Sequence, residues 1–215
     1  MTETEQRLAL VAAVQRLDAL GLNRGSTGNV SLRSGQGMLI TPTGMGAADL
    51  RAQDLVWLGF EGQCVGDWQP SSEWHFHQAI YRARADLHAV VHAHSTHATT
   101  LACLRRSLPA FHYMVAVAGG DDVPLVPYHL FGTEVLSQGV AAALQQRNAC
   151  LLANHGLVAA GASLAQALKL VQEIESLCQV YLQALAVGEP VLLSAAEMAE
   201  VIERFRSYGR ARRTT

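Results

Sequence analysis

Four of the chain's nine histidines fall within one short stretch, LHAVVHAHSTHATT, at residues 87–100: His88, His92, His94 and His97. Alternate side chains of a strand share one face, so His92 and His94 are spaced about 6.6 Å apart along the backbone. Both rings can therefore reach one metal ion at about 2.0–2.1 Å. His-x-His also arises by chance, so a metal site at this strand end requires a third ligand.

His155 is the favoured third ligand. It follows the apolar run ACLLA and precedes Gly156, so it projects from a strand end at a turn where close approach is possible. Three imidazoles leave one position of a tetrahedral ion open, which suits a catalytic zinc. His112 and His129 remain as substitutes, and His97 is assigned to a helix start or to a position behind the ligands.

Three loops rich in hydroxyl and amide side chains precede the histidine pair: GSTGN at 25–29, TPTG at 41–44 and PSSE at 70–73. Small polar side chains beside exposed backbone N–H groups hold phosphate without lysine or arginine, above all at a helix N-terminus. Each loop alone is more simply a turn, but their joint occurrence favours a phosphate site. Glu73 is either a surface carboxylate that complements a helix dipole or, beside a metal, a proton acceptor and donor.

Helices and strands alternate along the chain. Periodicity predicts a helix over 5–20 that stops at Gly21. Strands are predicted at 29–33, 37–41 and 54–60 and in LHAVVHA, VPLVPY, ACLLA and GLVAAG. Further helices are predicted in SSEWHFHQAIYRARAD, capped by Ser71 or Ser72, in THATTLACL and GTEVLSQGVAAALQQ, and after capping boxes at 163–166 and 194–197. This alternation indicates an α/β protein with helices on the faces of a sheet, in a single domain over 1–215.

Composition argues against several classes of function. The chain is 50% hydrophobic and 16% charged with a formal charge of −2, so no general basic field indicates nucleic acid. The arginines from 204 to 213 form only a local basic tail. No apolar run is long enough to span a membrane, and MTETEQRLAL lacks the basic start of a secretory signal. The four cysteines are far apart and without a C-x-x-C pair, so we expect a cytoplasmic, reduced protein.

The ordered motifs GSTGNVSLR, TPTG, SSEWHFH, HAHSTHATT and LLANHG span residues 25–156. They resemble those of the class II aldolase and adducin family, and within it the zinc-dependent aldolases of ketose 1-phosphates. The resemblance implies a three-layer α/β/α sandwich with a central, mostly antiparallel sheet, and a fourfold-symmetric homotetramer with active sites at subunit interfaces. It also implies zinc, with manganese, iron or cobalt as alternatives, and a small-molecule sugar phosphate as substrate.

Carried over residue by residue, the resemblance makes His92, His94 and His155 the metal ligands and Glu73 the general acid/base. The implied phosphate pocket is formed by six residues of the three loops: Gly28, Asn29, Thr43, Gly44, Ser71 and Ser72.

Three aromatic residues match less central positions of the family. Tyr113 resembles a tyrosine that a neighbouring subunit contributes to handle the aldehyde oxygen. Phe131 resembles an aromatic wall of the same pocket. Tyr208 is the candidate for a C-terminal tyrosine that closes the site in relatives.

The implied reaction is reversible cleavage of a ketose 1-phosphate into dihydroxyacetone phosphate and an aldehyde. The metal polarises the carbonyl, Glu73 exchanges a proton with the dihydroxyacetone phosphate carbon, and Tyr113 serves the aldehyde oxygen. The single lysine, Lys169, lies in a long predicted helix, which argues against a Schiff-base mechanism. The candidate substrates are L-fuculose 1-phosphate, 5-deoxyribulose 1-phosphate and 5-methylthioribulose 1-phosphate.

Other outcomes are known on the same scaffold. A sugar-phosphate 4-epimerase, a 3-oxo-tetronate 4-phosphate decarboxylase and a methylthioribulose-1-phosphate dehydratase remain alternatives. A different class, adducin-like binding modules without chemistry, predicts eroded ligands. Because His92, His94, His155 and Glu73 are all present, the enzyme interpretation is favoured.

Overall fold

The computed structural model describes residues 1–207, and its centre is one eight-stranded sheet with the order β4-β3-β2-β1-β5-β8-β7-β6. Every neighbouring pair is antiparallel except β6 with β7. The predicted mostly antiparallel sheet is therefore confirmed. The strands are β1 Asn29–Ser34, β2 Gly37–Ile40, β3 Val56–Gly59, β4 Cys64–Val65, β5 Ala89–Ala93, β6 Leu125–Val126, β7 Ala149–Leu152 and β8 Gly156–Gly161.

Helices cover both faces of this sheet, which confirms the predicted three-layer sandwich. The α-helices are α1 Glu3–Ala19, α2 Trp74–Ala83, α3 Thr96–Cys103, α4 Glu134–Ala143, α5 Leu164–Val187 and α6 Ala195–Ser207, and short 3-10 helices span Ala52–Asp54 and Tyr113–Ala118. Helices α1, α3 and α5 pack with one apolar core, whereas α2 and α4 pack with a second core on the opposite face. No helix within residues 1–207 has both the length and the apolar character needed to cross a bilayer.

The central strand β5 is buried on both faces because it lies between these two cores. Its side chains alternate: Val91 belongs to the core under α1, α3 and α5, and Val90 to the core under α2 and α4. His92 follows the same alternation and meets the ring of Phe76 from α2 edge-on, with centroids 5.5 Å apart. The imidazole of His92 therefore lies on the face of the sheet that α2 and α4 cover, next to the first turn of α2.

Two local predictions need correction. Helix α2 is not capped by Ser71 or Ser72: its N-cap residue is Glu73, and Ser71 Oγ instead accepts a 3.4 Å hydrogen bond from the Glu73 amide. The serine lies too far upstream to reach the usual N2 or N3 amide of the helix. The strand predicted over 54–60 is shorter, since the chain forms a 3-10 turn before it becomes extended at Val56.

Helix α3 begins directly behind the histidine pair, and a residue of α5 caps it. Glu175 Oε1 accepts from the backbone N and Nδ1 of His97, each at 2.8 Å, and Oε2 accepts from the Ala98 amide at 2.9 Å. The N-cap residue Ser95 makes no capping bond of its own to a helix amide. Burial would raise the pKa of Glu175, but the hydrogen bonds from the backbone of His97 and Ala98 and from the His97 ring leave that pKa below its ordinary value. The ionised carboxylate therefore anchors α3 to α5.

Replacing this carboxylate should weaken the protein in a pH-dependent way. In Glu175→Gln we expect the free energy of unfolding at about pH 7 to fall by about 1.5–3 kcal/mol, the usual contribution of a hydrogen bond to a charged group. A lowered carboxyl pKa contributes stability above its unfolded value and loses it as the pH falls through the folded one. Urea unfolding at about pH 7 and about pH 4 should therefore show the difference between wild type and variant shrinking in acid.

Glu173→Gln is the matched control on the same helix, since Glu173 makes no hydrogen bond or ion pair within residues 1–207. A difference between wild type and Glu175→Gln that stays constant across this pH range would contradict the anchoring role of the charge.

Candidate metal centre

The ends of three adjacent strands converge on the predicted metal site. In the sheet, β5 lies between β1 and β8, with Asn29 paired to His92 and Ala93 paired to Leu157. His94 follows β5 directly, and His155 lies in the turn between β7 and β8. Two antiparallel ladders therefore bring together residues that are more than sixty positions apart in the chain, such as His92 and Leu157, whose sequence separation is 65.

The turn that carries His155 is held tightly against β5. Asn154 adopts a left-handed backbone with φ of 55°, and its side-chain oxygen accepts from Arg105 Nε at 2.9 Å. A Cβ on Gly156 would lie 2.6 Å from the Ala93 carbonyl oxygen and 3.0 Å from the ring of His94. Glycine is required here because the turn approaches β5 too closely for any side chain.

The three predicted imidazoles form one cluster. Their ring centroids lie 4.7–5.0 Å apart, and one nitrogen from each ring falls within 4.8 Å of the others. His92 Nδ1 lies 3.0 Å from the carbonyl oxygen of Leu157, so Nδ1 carries the hydrogen and Nε2 presents its lone pair. That lone pair faces His94 Nε2 at 2.9 Å. Ring nitrogens this close to one another fit a shared cation.

The protonation of these rings suits metal binding. Burial, reinforced by the neighbouring imidazoles, lowers the pKa of His92 to about 3 and that of His155 to about 4. Burial also lowers the pKa of His94, although the carboxylate of Glu73 opposes the shift. All three rings are therefore neutral near pH 7, which is the form that ligates a metal.

Glu73 completes the cluster. Its Oε2 accepts a 2.9 Å hydrogen bond from Asn29 Nδ2 and lies 3.3 Å from His92 Nε2, while Oε1 lies 3.3 Å from His155 Nε2. Oε1 is buried and has no hydrogen-bond partner among residues 1–207. A buried carboxylate oxygen beside neutral imidazoles is costly unless a positive charge accompanies it. This orphaned oxygen is a second observation that fits a bound cation.

An asparagine side chain clasps the backbone between the two strand histidines. Asn23 Oδ1 accepts from the His94 amide at 2.9 Å, and Asn23 Nδ2 donates to the His92 carbonyl oxygen at 3.5 Å. Gly28 has φ of +70°, and a Cβ there would lie 2.3 Å from Asn23 Nδ2 and 2.6 Å from the His92 oxygen. Gly28 is therefore required because of its backbone conformation and the close approach of these atoms, whereas no local spacing of residues indicates Asn23.

A cleft of about 360 Å³ opens beside the cluster. It connects Glu73, His94, His155 and Phe131 to the three polar loops. Among the described residues, no lysine or arginine lines it. Its lining residues are Ser26, Thr27, Gly28, Asn29, Pro42, Thr43, Gly44, Ser71, Ser72, Glu73, His94, Phe131 and His155. All six predicted phosphate residues are therefore brought together in one cleft.

Backbone hydrogen bonds hold the loops of this cleft in place. The Ser71 amide donates to the Thr41 oxygen and the Thr43 amide to the Gln69 oxygen, each at 3.0 Å. Thr41 Oγ1 in turn accepts from the Val30 amide at 3.2 Å, which ties the second loop to β1. The amides and hydroxyls at the cleft surface are thus preorganised for an anion.

The remaining predicted residues are placed differently. Tyr113 is exposed on the 3-10 helix Tyr113–Ala118, near Phe205, and is not part of the cleft lining. His97 lies in the first turn of α3 and pairs with Glu175 rather than joining the imidazole cluster. His88 is exposed. Tyr208 lies outside the described residues.

Comparison with known proteins identifies the family. Residues 8–182 match the family model described as Class II Aldolase and Adducin N-terminal domain. The chain belongs to this family. It is a class II aldolase, and hence a lyase.

Individual relatives agree over nearly the whole chain. A 5-methylthioribulose-1-phosphate/5-deoxyribulose-1-phosphate aldolase of Rhodospirillum rubrum is 49% identical over 203 residues, covering 94% of this chain and 92% of the relative. An L-fuculose phosphate aldolase of Escherichia coli K12 is 49% identical over 191 residues, covering 88% and 89%. The solved structure of an L-fuculose 1-phosphate aldolase superposes with a TM-score of 0.91 at 40% identity, covering 94% of this chain and 96% of that one.

Removal of one imidazole from this aldolase tests the cluster directly. In His94→Ala we expect loss of stoichiometric metal, because two remaining rings hold a divalent ion far more weakly than three. Metal content after desalting, measured by atomic emission, gives the result without reference to activity. His88→Ala is the control, since His88 lies on the same stretch but is exposed outside the cleft. Full metal occupancy in His94→Ala would remove this residue from the ligand set.

Proposed function

We propose that this enzyme reversibly cleaves a ketose 1-phosphate into dihydroxyacetone phosphate and an aldehyde. One observation carries the proposal: a buried carboxylate, Glu73, stands between the imidazole cluster and the three polar loops, all in a single cleft. A substrate phosphate in the loops places the carbons next to it within reach of Glu73 and of the imidazoles.

The phosphate is assigned to the loop end of the cleft. Its donors would be Asn29, Thr43, Ser71, Ser72 and the backbone around Gly28 and Gly44, all of which line the cleft. The N-terminus of α2, a helix of 10 residues that begins at Trp74, adds its positive dipole end on the same side. Neutral donors of this kind bind a dianion through many hydrogen bonds rather than through one ion pair.

His92, His94 and His155 are proposed as the metal ligands. Three neutral imidazoles favour zinc, and manganese, iron or cobalt are the alternatives. When bound, such an ion supplies Lewis-acid stabilisation of the negative charge that develops on the substrate oxygens during cleavage.

Glu73 is proposed to move the proton at the hydroxymethyl carbon of dihydroxyacetone phosphate. Its two oxygens are not equivalent: Oε2 is held by Asn29, whereas Oε1 has no hydrogen-bond partner among the described residues. Oε1 is therefore the atom free to receive the proton in the condensation direction and to return it in the cleavage direction. The rigid contact at Oε2 fixes the direction in which Oε1 points.

A homotetramer with interfacial sites accounts for the remaining residues. Tyr113 is 49% exposed and absent from its own chain's cleft, as expected for a side chain that serves the cleft of a neighbouring subunit. Phe131 lines the cleft yet is 58% exposed, so an adjacent subunit would cover it. In that assembly Tyr113 would serve the aldehyde oxygen and Phe131 would contact the aldehyde's apolar end.

The aldehyde half defines the substrate. The two relatives compared above are named for different sugars, 5-methylthioribulose or 5-deoxyribulose 1-phosphate and L-fuculose phosphate, and each is 49% identical to this chain. We therefore propose these three ketose 1-phosphates together. An apolar wall at Phe131 suits the methyl or methylthio group in which each of them ends.

A panel of ketose 1-phosphates is the direct test of the activity. Dihydroxyacetone phosphate release, read through a coupled dehydrogenase, should occur with at least one of the three substrates and should disappear after chelation. Zinc added back should restore it. Absence of release from a folded, metal-loaded enzyme would contradict the proposal and direct product analysis toward epimerase, decarboxylase or dehydratase chemistry.

Glu73→Gln tests the proton transfer separately from metal binding. Glutamine keeps the volume and the contact with Asn29 but cannot accept a proton at the position of Oε1. We expect full metal content and a loss of about 10²–10⁴ in the rate of solvent deuterium exchange into dihydroxyacetone phosphate, the usual contribution of a general base. Exchange at the wild-type rate would remove Glu73 from this role.

A further inference from the structure

A chain of buried polar side chains runs from the second apolar core to the base. Tyr81 OH lies 2.8 Å from Ser31 Oγ, and Ser31 Oγ lies 2.7 Å from His77 Nδ1. His77 Nε2 lies 2.6 Å from Asn29 Oδ1, and Asn29 Nδ2 donates to Glu73 Oε2 at 2.9 Å. None of these five residues is more than 7% exposed. No catalytic step assigned above uses His77, Ser31 or Tyr81.

The chemistry of each group fixes the direction of every hydrogen in this chain. An ionised Glu73 only accepts, so Asn29 must present its NH₂ to the carboxylate and its Oδ1 to His77. Asn29 Oδ1 only accepts, so the hydrogen of His77 lies on Nε2. Burial lowers the pKa of His77 well below its ordinary value, so the ring is neutral and Nδ1 carries a lone pair.

The far end of the chain completes this ordering. Because His77 Nδ1 accepts, Ser31 donates its one hydrogen to that atom, and Tyr81 then donates to Ser31. Tyr81 OH also lies 3.4 Å from the His88 carbonyl oxygen, a longer contact than the 2.8 Å to Ser31. Every donor from Tyr81 to Asn29 is therefore directed toward Glu73.

This order of donors determines the orientation of the Asn29 amide, which could otherwise rotate by half a turn with little change in shape. With His77 Nε2–H in place, only one orientation satisfies both ends. Without that donor, the rotated amide would aim Oδ1 at the carboxylate and repel it. The same asparagine lines the loop end of the cleft, so its orientation also bears on how Glu73 faces a phosphate-anchored substrate.

We propose that His77 is a positioning residue, which as its Nε2–H tautomer locks the Asn29 amide so that Glu73 Oε2 is held and Oε1 faces the substrate. This inference rests on the role of Glu73 in the proposed function. It assigns a specific chemical task to a fully buried imidazole of α2. The ring of His77 also stacks on that of Phe76, with the centroids 4.7 Å apart.

Two substitutions separate the donor from the packing. In His77→Gln the side-chain NH₂ reaches the place of Nε2 and preserves the donor to Asn29, whereas in His77→Asn the shorter amide reaches only the place of Nδ1. We expect deuterium exchange into dihydroxyacetone phosphate to fall about 10²-fold in His77→Asn, as for a catalytic group misplaced by about 1 Å, and to stay within about threefold of wild type in His77→Gln.

The loss should fall on kcat, with KM changing by less than about threefold, since Thr43, Ser71 and Ser72 still hold the phosphate. Metal content and thermal midpoint are measured alongside. Should His77→Asn not fold, Ser31→Ala replaces it: the ring then loses the partner that enforces its tautomer, and exchange should fall while the volume of the core is almost unchanged. Equal loss in His77→Gln and His77→Asn, both folded and metal-loaded, would show a packing role and overturn the proposal.

An independent measurement does not use catalysis at all. Long-range ¹H–¹⁵N spectra of the zinc-loaded enzyme distinguish the two neutral imidazole tautomers, and the signal of His77 is identified by its absence from His77→Gln. We expect the Nε2–H form for His77 in wild type and a mixture of tautomers in Ser31→Ala. An Nδ1–H or doubly protonated ring in wild type would overturn the proposal.

The two hypotheses fail in different ways. If wild type does not exchange deuterium into dihydroxyacetone phosphate, the proposed function fails, whatever the tautomer of His77. If wild type exchanges and His77→Asn exchanges equally fast, only the positioning role of His77 is lost.

Discussion

The backbone pairing of β1, β5 and β8 is the constraint on which the site depends. Asn29 stands opposite His92, and Leu157 stands opposite Ala93 while its carbonyl oxygen fixes the tautomer of His92. A shift of either ladder by one residue would turn the side chains of a strand to the opposite face of the sheet. The apolar cores on both faces prevent such a shift, because β5 is buried throughout. Core packing therefore sets the geometry of the polar cluster.

That cluster is electrostatically incomplete as a purely protein structure. A carboxylate buried among neutral imidazoles receives one hydrogen bond at Oε2 and none at Oε1 within residues 1–207. The cost of burying this charge is met only in part by Asn29. A divalent cation among His92, His94 and His155 would compensate the rest, and metal binding would then be coupled to folding stability. The cation that the proposed chemistry requires would thus also offset an unfavourable buried charge.

Much of this site was predictable from the sequence because its chemistry lies in short motifs. Local spacing indicated His92 and His94 on one strand face, favoured His155 at a glycine turn and left Glu73 after the serine loop as a candidate. The family resemblance supplied the roles of all four. The three polar loops were also recognisable, since donors such as Ser71 and Ser72 stand in runs. For the fold, the alternation of apolar segments predicted the layers of helix and sheet.

What the sequence did not reveal depends on tertiary contacts between distant residues. The clasp formed by Asn23 spans 71 positions to His94, and the cap of α3 by Glu175 spans 78 positions to His97. Neither has a local signature. The serine cap predicted for α2 was wrong because the backbone turns at Glu73, so that Ser71 bonds the amide of the base instead. Strand order likewise follows from which apolar faces fit together, which composition alone does not encode.

The hydrogen-bonded series from Tyr81 to Glu73 is stable inside the second apolar core because its polar atoms satisfy one another. Ser31, His77 and Tyr81 are surrounded by apolar residues such as Ile80 and Val90, where an unsatisfied polar atom is costly. Each of their hydrogens has a partner, and each partner is satisfied in only one arrangement. Apolar side chains in place of Ser31, His77 and Tyr81 would pack as well but would leave the Asn29 amide free to rotate. The three polar residues therefore select one orientation of the Asn29 amide beside Glu73. The first core, on the other face of the sheet, provides the apolar packing beneath α1, α3 and α5.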